Sequence, residues 1–255
     1  VVAVIDTGVD YTHSDLDSNI WINSKEIPGN NLDDDRNGFV DDIRGWDFVN
    51  DDSAPMDEEG HGTHVAGIIA AENNGFGTTG VAFNAKIMPV RVLGEAGGYQ
   101  SDIAAGIRYA VDNGADAINL SLGANLTSAQ AANAIKYAAE KGVVVVMAAG
   151  NESQSQPLYP ARYAINYGIA VGAVNRNNQM PGFSNKAGTT QLDYVVAPGV
   201  NVYSTWMGNS YQFSSGTSMA SPYVAGVAAL ILSANPNLSA AQVETILTST
   251  ANANA

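Results

Sequence analysis

Apolar residues fill positions 1–5 without a break, and the run ends at Asp6-Thr7-Gly8. A strand buried on both faces of a parallel sheet reads this way, and it delivers its first polar side chain to the carboxyl edge, where ligands and catalytic groups collect. Similar runs at 86–92, 117–122, 143–149 and 168–174 predict four further strands. Between them, apolar residues recur at helical spacing over 101–113 and 128–141, and a short apolar helix is expected at 65–71. Strands alternating with helices predict an α/β fold of three α/β/α layers, with a mainly parallel central sheet and right-handed crossovers. No repeat or low-complexity linker interrupts the pattern, and only 251–255 reads as a loose tail. One domain over 1–255 is expected, and because the chain starts inside a core strand, an N-terminal segment is expected to lie outside it.

Near the C-terminus, Gly216-Thr217-Ser218 turns into an alanine-rich stretch with Val224, Val227, Ala228 and Ile231 on helical spacing, predicting a buried helix to Ala234. A hydroxyl at that helix start meets unpaired backbone N–H groups and the positive end of the dipole, which favours negative charge developing beside Ser218. Taken alone, the stretch is better explained as a helix cap, since Ser and Thr are preferred caps. A last helix over 239–249 carries its own cap, Ser239, after the Asn235-Pro236 turn.

Composition narrows the chemistry. Eleven Lys and Arg against 25 Asp and Glu give a formal charge of −14, which argues against nucleic acid or an anionic membrane as partner. With no cysteine there is no disulfide, thiol catalysis or thiolate zinc site, while a secreted or periplasmic location stays open. The longest apolar runs, such as 142–149, read as too short to span a bilayer. The acidic residues are concentrated. Asp33, Asp35, Asn37, Gly38, Phe39 and Asp41 copy the first nine positions of a calcium loop, with Phe39 contributing its carbonyl. Arg44 occupies the twelfth position, so Asp42 or an outside group has to complete the shell.

A second acidic stretch, 47–57, leads into Gly60-His61-Gly62-Thr63-His64-Val65-Ala66-Gly67. A histidine between glycines at a helix start can approach a substrate, whereas His64, one turn into an apolar helix, reads as a hydrogen-bonded core residue. Metal binding by the pair lacks the glutamate that a metalloprotease helix places between its histidines. Asp6, His61 and Ser218 thus stand at the ends of core elements and supply an acid, a base and a nucleophile. Val4-Ile5-Asp6-Thr7-Gly8-Val9, the Gly60 to Gly67 motif and Gly216-Thr217-Ser218-Met219-Ala220-Ser221-Pro222 occur in the order of a subtilisin triad. Over nearly its whole length the chain resembles the subtilisin-like serine proteases, or subtilases, of the calcium-binding bacterial type.

The resemblance implies a serine endopeptidase acting on polypeptide substrates through Asp6, His61 and Ser218. Asn151, at the end of Ala148-Ala149-Gly150-Asn151, is then the oxyanion donor beside the Ser218 N–H. Gly97, Gly98 and Tyr99, with Ser121, Leu122 and Gly123, would pair with an extended substrate as added strands. The first-residue pocket would lie between Leu122-Gly123 and the Ala148 to Asn151 segment, including Gly150 and continued by Glu152. Apolar walls with one acidic rim residue suit large apolar side chains and also Lys or Arg. Calcium is the implied cofactor. Besides the loop at 33–42, a site at Asp47, Asn50, Asp52 and the Ala54 carbonyl is implied, with Met56 where family members have an oxygen donor and Asp57 as its substitute. A third pairs Asp15 with Asn74 in the loop at 72–78. The resemblance also implies a monomer, a secreted or periplasmic location and an N-terminal propeptide. The rival readings are a catalytically silent subtilase fold used as a binding module, and an unrelated calcium-binding adhesion domain.

Overall fold

The computed structural model describes residues 1–252, so positions 253–255 of the predicted tail lie outside the described residues. In chain order the elements are β1 (Val2–Asp6), β2 (Trp46–Asp47), α1 (His61–Ala70), β3 (Ile87–Arg91), α2 (Gln100–Asp112), β4 (Ala117–Leu120), α3 (Ala129–Glu140) and β5 (Val144–Ala148). Then come β6 (Ile169–Val174), β7 (Tyr194–Pro198), β8 (Val202–Trp206), β9 (Ser210–Ser214), α4 (Thr217–Ala234) and α5 (Ala240–Thr250). Strands β2-β3-β1-β4-β5-β6-β7 form one sheet in that order. Every pair in it is parallel.

The pleat sorts each strand's side chains into two apolar layers. Val2 and Val4 of β1, with Val144 and Val146 of β5, pack with α1, α4 and α5. Ala3 and Ile5, with Val145 and Met147, face the layer of α2 and α3. This is the predicted three-layer α/β/α arrangement, and it places the end of β1 near the middle of the sheet's carboxyl edge.

Sequence patterning missed β2, β7 and the antiparallel hairpin β8–β9. The hairpin hides because two of its inward positions are polar: Ser204 Oγ donates to the His64 carbonyl at 2.8 Å and Thr205 Oγ1 to the Thr63 carbonyl at 2.7 Å. It lies so close to α1 that a Cβ on Gly67 would fall 2.2 Å from Thr205 Oγ1. Helix α1 also begins at His61, four residues before the predicted start.

The expectation about membrane-length segments needs correcting, because α4 is long and apolar enough, by length and composition, to cross a bilayer. Half of it is buried inside the fold, against both α1 and the central strands, which accounts for its apolar character.

Candidate active site

Asp6 is the last residue of β1 and is fully buried. Its Oδ1 lies 2.7 Å from His61 Nδ1 and also accepts the Thr7 N–H at 2.8 Å. Its Oδ2 has no hydrogen-bond partner among the described residues. A carboxylate can only accept, so Nδ1 carries the imidazole proton and Nε2 keeps its lone pair. Burial alone would push the His61 pKa down, but the charge and hydrogen bond of Asp6, helped by the charges of Asp57 and Glu59, outweigh it and raise it above the ordinary value. His64 behaves as a core residue: its Nε2 faces the Val202 and Gln212 carbonyls, and burial lowers its pKa.

Ser218 is the second residue of α4. The cap reading of this stretch taken alone does not hold, because Gly216 is the N-cap and has no side chain with which to cap α4. Pro222 lacks the N–H that would otherwise reach the Ser218 carbonyl four residues back. Ser121 Oγ donates to that carbonyl instead, at 2.8 Å. The Ser218 hydroxyl in turn donates to the Ser121 carbonyl at 3.3 Å, and among the described residues it has no hydrogen bond to His61. Asn119 ties these groups together, its Nδ2 donating to Ser121 Oγ at 2.9 Å and its Oδ1 accepting from Ser221 at 2.7 Å. Asn151 Oδ1 accepts the Thr217 N–H at 2.8 Å and the Thr217 hydroxyl at 3.1 Å. With the oxygen committed, its NH₂ group is the end left to donate.

Gly97 and Gly98 face Ser121, Leu122 and Gly123 across a cavity of about 460 Å³ that His61 also lines. Tyr99 is 78% exposed and does not line this cavity, nor do Ala148, Gly150 and Glu152. Ala148 is a buried residue of β5, while Gly150 and Glu152 pack against residues that carry no local motif. A Cβ on Gly150 would meet Asn185 Nδ2 at 2.5 Å, Glu152 Oε2 at 2.7 Å and Leu158 Cγ at 2.8 Å. A Cβ on Gly123 would meet Leu158 at 3.4 Å. Buried Leu158 therefore joins the two predicted substrate segments, while Asn185 holds Glu152 through a 2.8 Å hydrogen bond. Neither carries a local motif, so only tertiary contact identifies them.

Comparison with known proteins matches the profile described as "Subtilase family" to residues 1–255. The chain belongs to that family. Among curated subtilases, it is 49% identical over 238 residues to a thermophilic serine proteinase of Bacillus sp. (strain AK1), covering 92% of this chain and 53% of the relative. Subtilisin DY of Bacillus licheniformis is 43% identical over 255 residues, covering 98% of this chain and 82% of the relative. The chain thus spans about half the length of the first of these. Among solved structures, a protease of Pseudoalteromonas arctica PAMC 21717 aligns with a TM-score of 0.82 at 37% identity, covering 99% of this chain and 83% of that one.

The predicted calcium ligands of this subtilase fall into three groups. In the first loop, carboxylate oxygens of Glu26, Asp33 and Asp35 lie within 4.8 Å of one another. Asp41 turns away, accepting the Gly29 and Asn31 N–H groups at 2.8 and 2.9 Å. Asp42 is buried and takes hydrogen bonds from Tyr109, Asn23 and Asn37 at 2.6, 2.9 and 3.0 Å. Burial raises the Asp42 pKa, with these three bonds opposing it and Asp35 adding to it. The Phe39 ring packs edge-on against Trp46, Phe48 and Tyr109, and Asn37 Oδ1 accepts the Phe39 N–H at 2.8 Å. Glu26, which lies outside the predicted loop, accepts from the Asp34 and Asp41 N–H groups at 2.8 and 3.1 Å.

In the second group, Asp47 is buried and already paired with Arg91 at 2.8 Å, and Asn50 turns its amide nitrogen to Asp47 at 3.0 Å. Asp52 accepts the Ala54 N–H at 2.9 Å, and the Ala54 carbonyl accepts the Met56 N–H at 2.7 Å. Asp57 lies elsewhere, with both oxygens filled by donors around His61. In the third, buried Asp15 accepts from Asn74 Nδ2 and the Thr78 N–H, both at 3.0 Å, so side chain and loop do meet.

Proposed function

We propose that this chain is a serine endopeptidase domain, spanning 1–255, that hydrolyses polypeptide substrates through an Asp6-His61-Ser218 triad. The observation that carries this is the 2.7 Å contact between Asp6 and His61 at the sheet edge, with the Nε2 lone pair kept free for a hydroxyl. On substrate binding, Ser218 Oγ leaves the Ser121 carbonyl and transfers its proton to His61 Nε2 as it attacks the peptide carbonyl carbon. The resulting oxyanion takes hydrogen bonds from Asn151 NH₂ and the Ser218 N–H. Its collapse expels the amine, protonated by His61, and leaves an acyl-enzyme. His61 then activates water to release the acid. The test is casein hydrolysis with and without calcium beside a Ser218→Ala variant. A calcium-independent loss of nearly all turnover in the variant supports the triad, and a loss below about 100-fold removes it. An N-terminal propeptide, a monomeric state and release outside the cytoplasm go with this reading; native mass and cell fractionation decide them.

Only neutral His61 can accept the proton. Because its pKa lies above the ordinary value of about 6.5, kcat/KM is expected to rise with pH through a midpoint above that value. A rate flat from pH 5 to 8 would count against His61 as the base.

Hard carboxylate oxygens suit calcium, and Glu26, Asp33 and Asp35 are the residues that would hold it, neutralising charges otherwise crowded together. Asp47 fits less well because Arg91 already neutralises it. An ion held only by the folded state at 100 times its Kd adds about 2.7 kcal/mol. Excess chelator is therefore expected to lower Tm by roughly 5–10 °C for a chain of this size. Unchanged melting would remove the calcium claim.

A further inference from the structure

We infer that Asp57 is a positioning residue for the Asp6–His61 pair, locking the end of β1 to the first turn of α1 through Thr7 and Thr63. This rests on the serine endopeptidase reading and deepens it. Asp57 is 5% exposed, and both of its oxygens are occupied. Oδ1 accepts from the Thr7 hydroxyl at 2.9 Å, the Glu59 N–H at 2.9 Å and the Gly60 N–H at 2.8 Å. Oδ2 accepts from the Thr63 N–H at 2.9 Å and the Thr63 hydroxyl at 2.6 Å.

The two threonines extend this grip to both catalytic partners. The Thr7 hydroxyl accepts the Gly62 N–H at 2.9 Å, while the Thr7 N–H donates to Asp6 Oδ1 at 2.8 Å. One residue therefore touches the neighbour of His61 on α1 and the carboxylate of Asp6 on β1. The Thr63 hydroxyl accepts the Asp10 N–H at 2.8 Å, holding the chain that leaves β1 against the same turn. Gly60, the N-cap of α1, has φ 99° and no side chain to offer, so Asp57 satisfies the helix-start N–H groups from three residues upstream.

A helix cap alone would stabilise α1 without tuning His61. Two features separate the roles. The bridge runs through Thr7, which lies outside α1, and a carboxylate this close stabilises the imidazolium that forms when His61 takes the serine proton. The titratable groups facing His61 are Asp6 from β1, Asp57 and Glu59 from the preceding loop, His64 from α1, and Glu95 on the cavity that His61 lines. Asp6 supplies the larger share of the attraction and Asp57 the next. Misplacing a catalytic group by about 1 Å can cost 100-fold in rate.

The experiment measures kcat, KM and the pH profile of peptide-amide hydrolysis, per titrated active site, for wild type, Asp57→Asn, Thr7→Val and Thr7→Ser. Thr7→Val is expected to lower kcat at least about 10-fold with KM unchanged, and Thr7→Ser, which keeps the hydroxyl, to recover most of it. Asp57→Asn is expected to lower kcat likewise and to move the acidic limb of kcat/KM to lower pH, because the imidazolium loses a stabilising charge. Folded variants with wild-type kcat and an unmoved limb overturn the inference alone. Should Asp57→Asn fail to fold, the Thr7 pair decides: no loss in Val, or no recovery in Ser, overturns it. Absence of Ser218-dependent turnover in wild type overturns the endopeptidase reading as well.

Discussion

Replacing Ser218 by alanine is expected to lower kcat about 10⁶-fold, the size established for this substitution in subtilisins of the same family, while KM stays close to wild type. The separation follows from what the hydroxyl touches. Its one hydrogen bond among the described residues is the 3.3 Å contact to the Ser121 carbonyl, so its removal leaves no strong internal partner unpaired. Helix α4 does not depend on it for a cap, and the Ser218 carbonyl keeps its 2.8 Å bond from Ser121 Oγ. Folding stability should therefore change by less than about 1 kcal/mol. A residual rate of roughly 10³- to 10⁴-fold over water should remain, because the oxyanion donors and the cleft are intact. A loss below 100-fold, or one matched by a fall in Tm, would mean that Ser218 is not the attacking group.

How early each part of this site becomes legible depends on where its information lies. Asp6 and His61 are visible because each follows a pattern change that chemistry explains: an unbroken apolar run ending in a carboxylate, and a histidine between glycines. The parallel strands and their helices are equally plain, since burial on both faces leaves no polar position in β5 or β6 and only the terminal Asp6 in β1. The hairpin β8–β9 escapes because buried Ser204 and Thr205 spend their hydroxyls on α1, breaking the apolar alternation. The acidic cluster is half legible. Alternating oxygens mark Asp33 and Asp35, but Glu26 precedes the motif, and the Asp41 carboxylate is taken up by the Gly29 and Asn31 N–H groups. Ser218 reads as a nucleophile only beside Asp6 and His61, because its own environment is set by Ser121 and Pro222, contacts that no local pattern encodes.

Asn151→Ala is expected to lower kcat about 100- to 1,000-fold, the range measured for the oxyanion donor of a subtilisin, with KM changed less than about threefold. The donor acts only as the carbonyl oxygen becomes an oxyanion, so ground-state binding keeps nearly all its contacts. Asn151 has a second task that makes the variant more informative. Its Oδ1 holds the Thr217 N–H and hydroxyl at the start of α4, and both lose that acceptor on truncation. The Thr217 hydroxyl still accepts the Gly150 N–H at 3.0 Å, so one link between the two segments survives. An unpaired N–H at a helix start costs about 1–3 kcal/mol, which for a chain of this size lowers Tm by roughly 2–12 °C. Rate and stability should fall together here, whereas Ser218→Ala should lower the rate alone. Asn151→Asp separates the two tasks, because it keeps an oxygen for Thr217 while replacing the donor with a negative charge. Its Tm should stay nearer wild type while its kcat falls at least as far as in the alanine variant. An Asn151→Asp enzyme that is stable and nearly fully active would remove Asn151 from the oxyanion site.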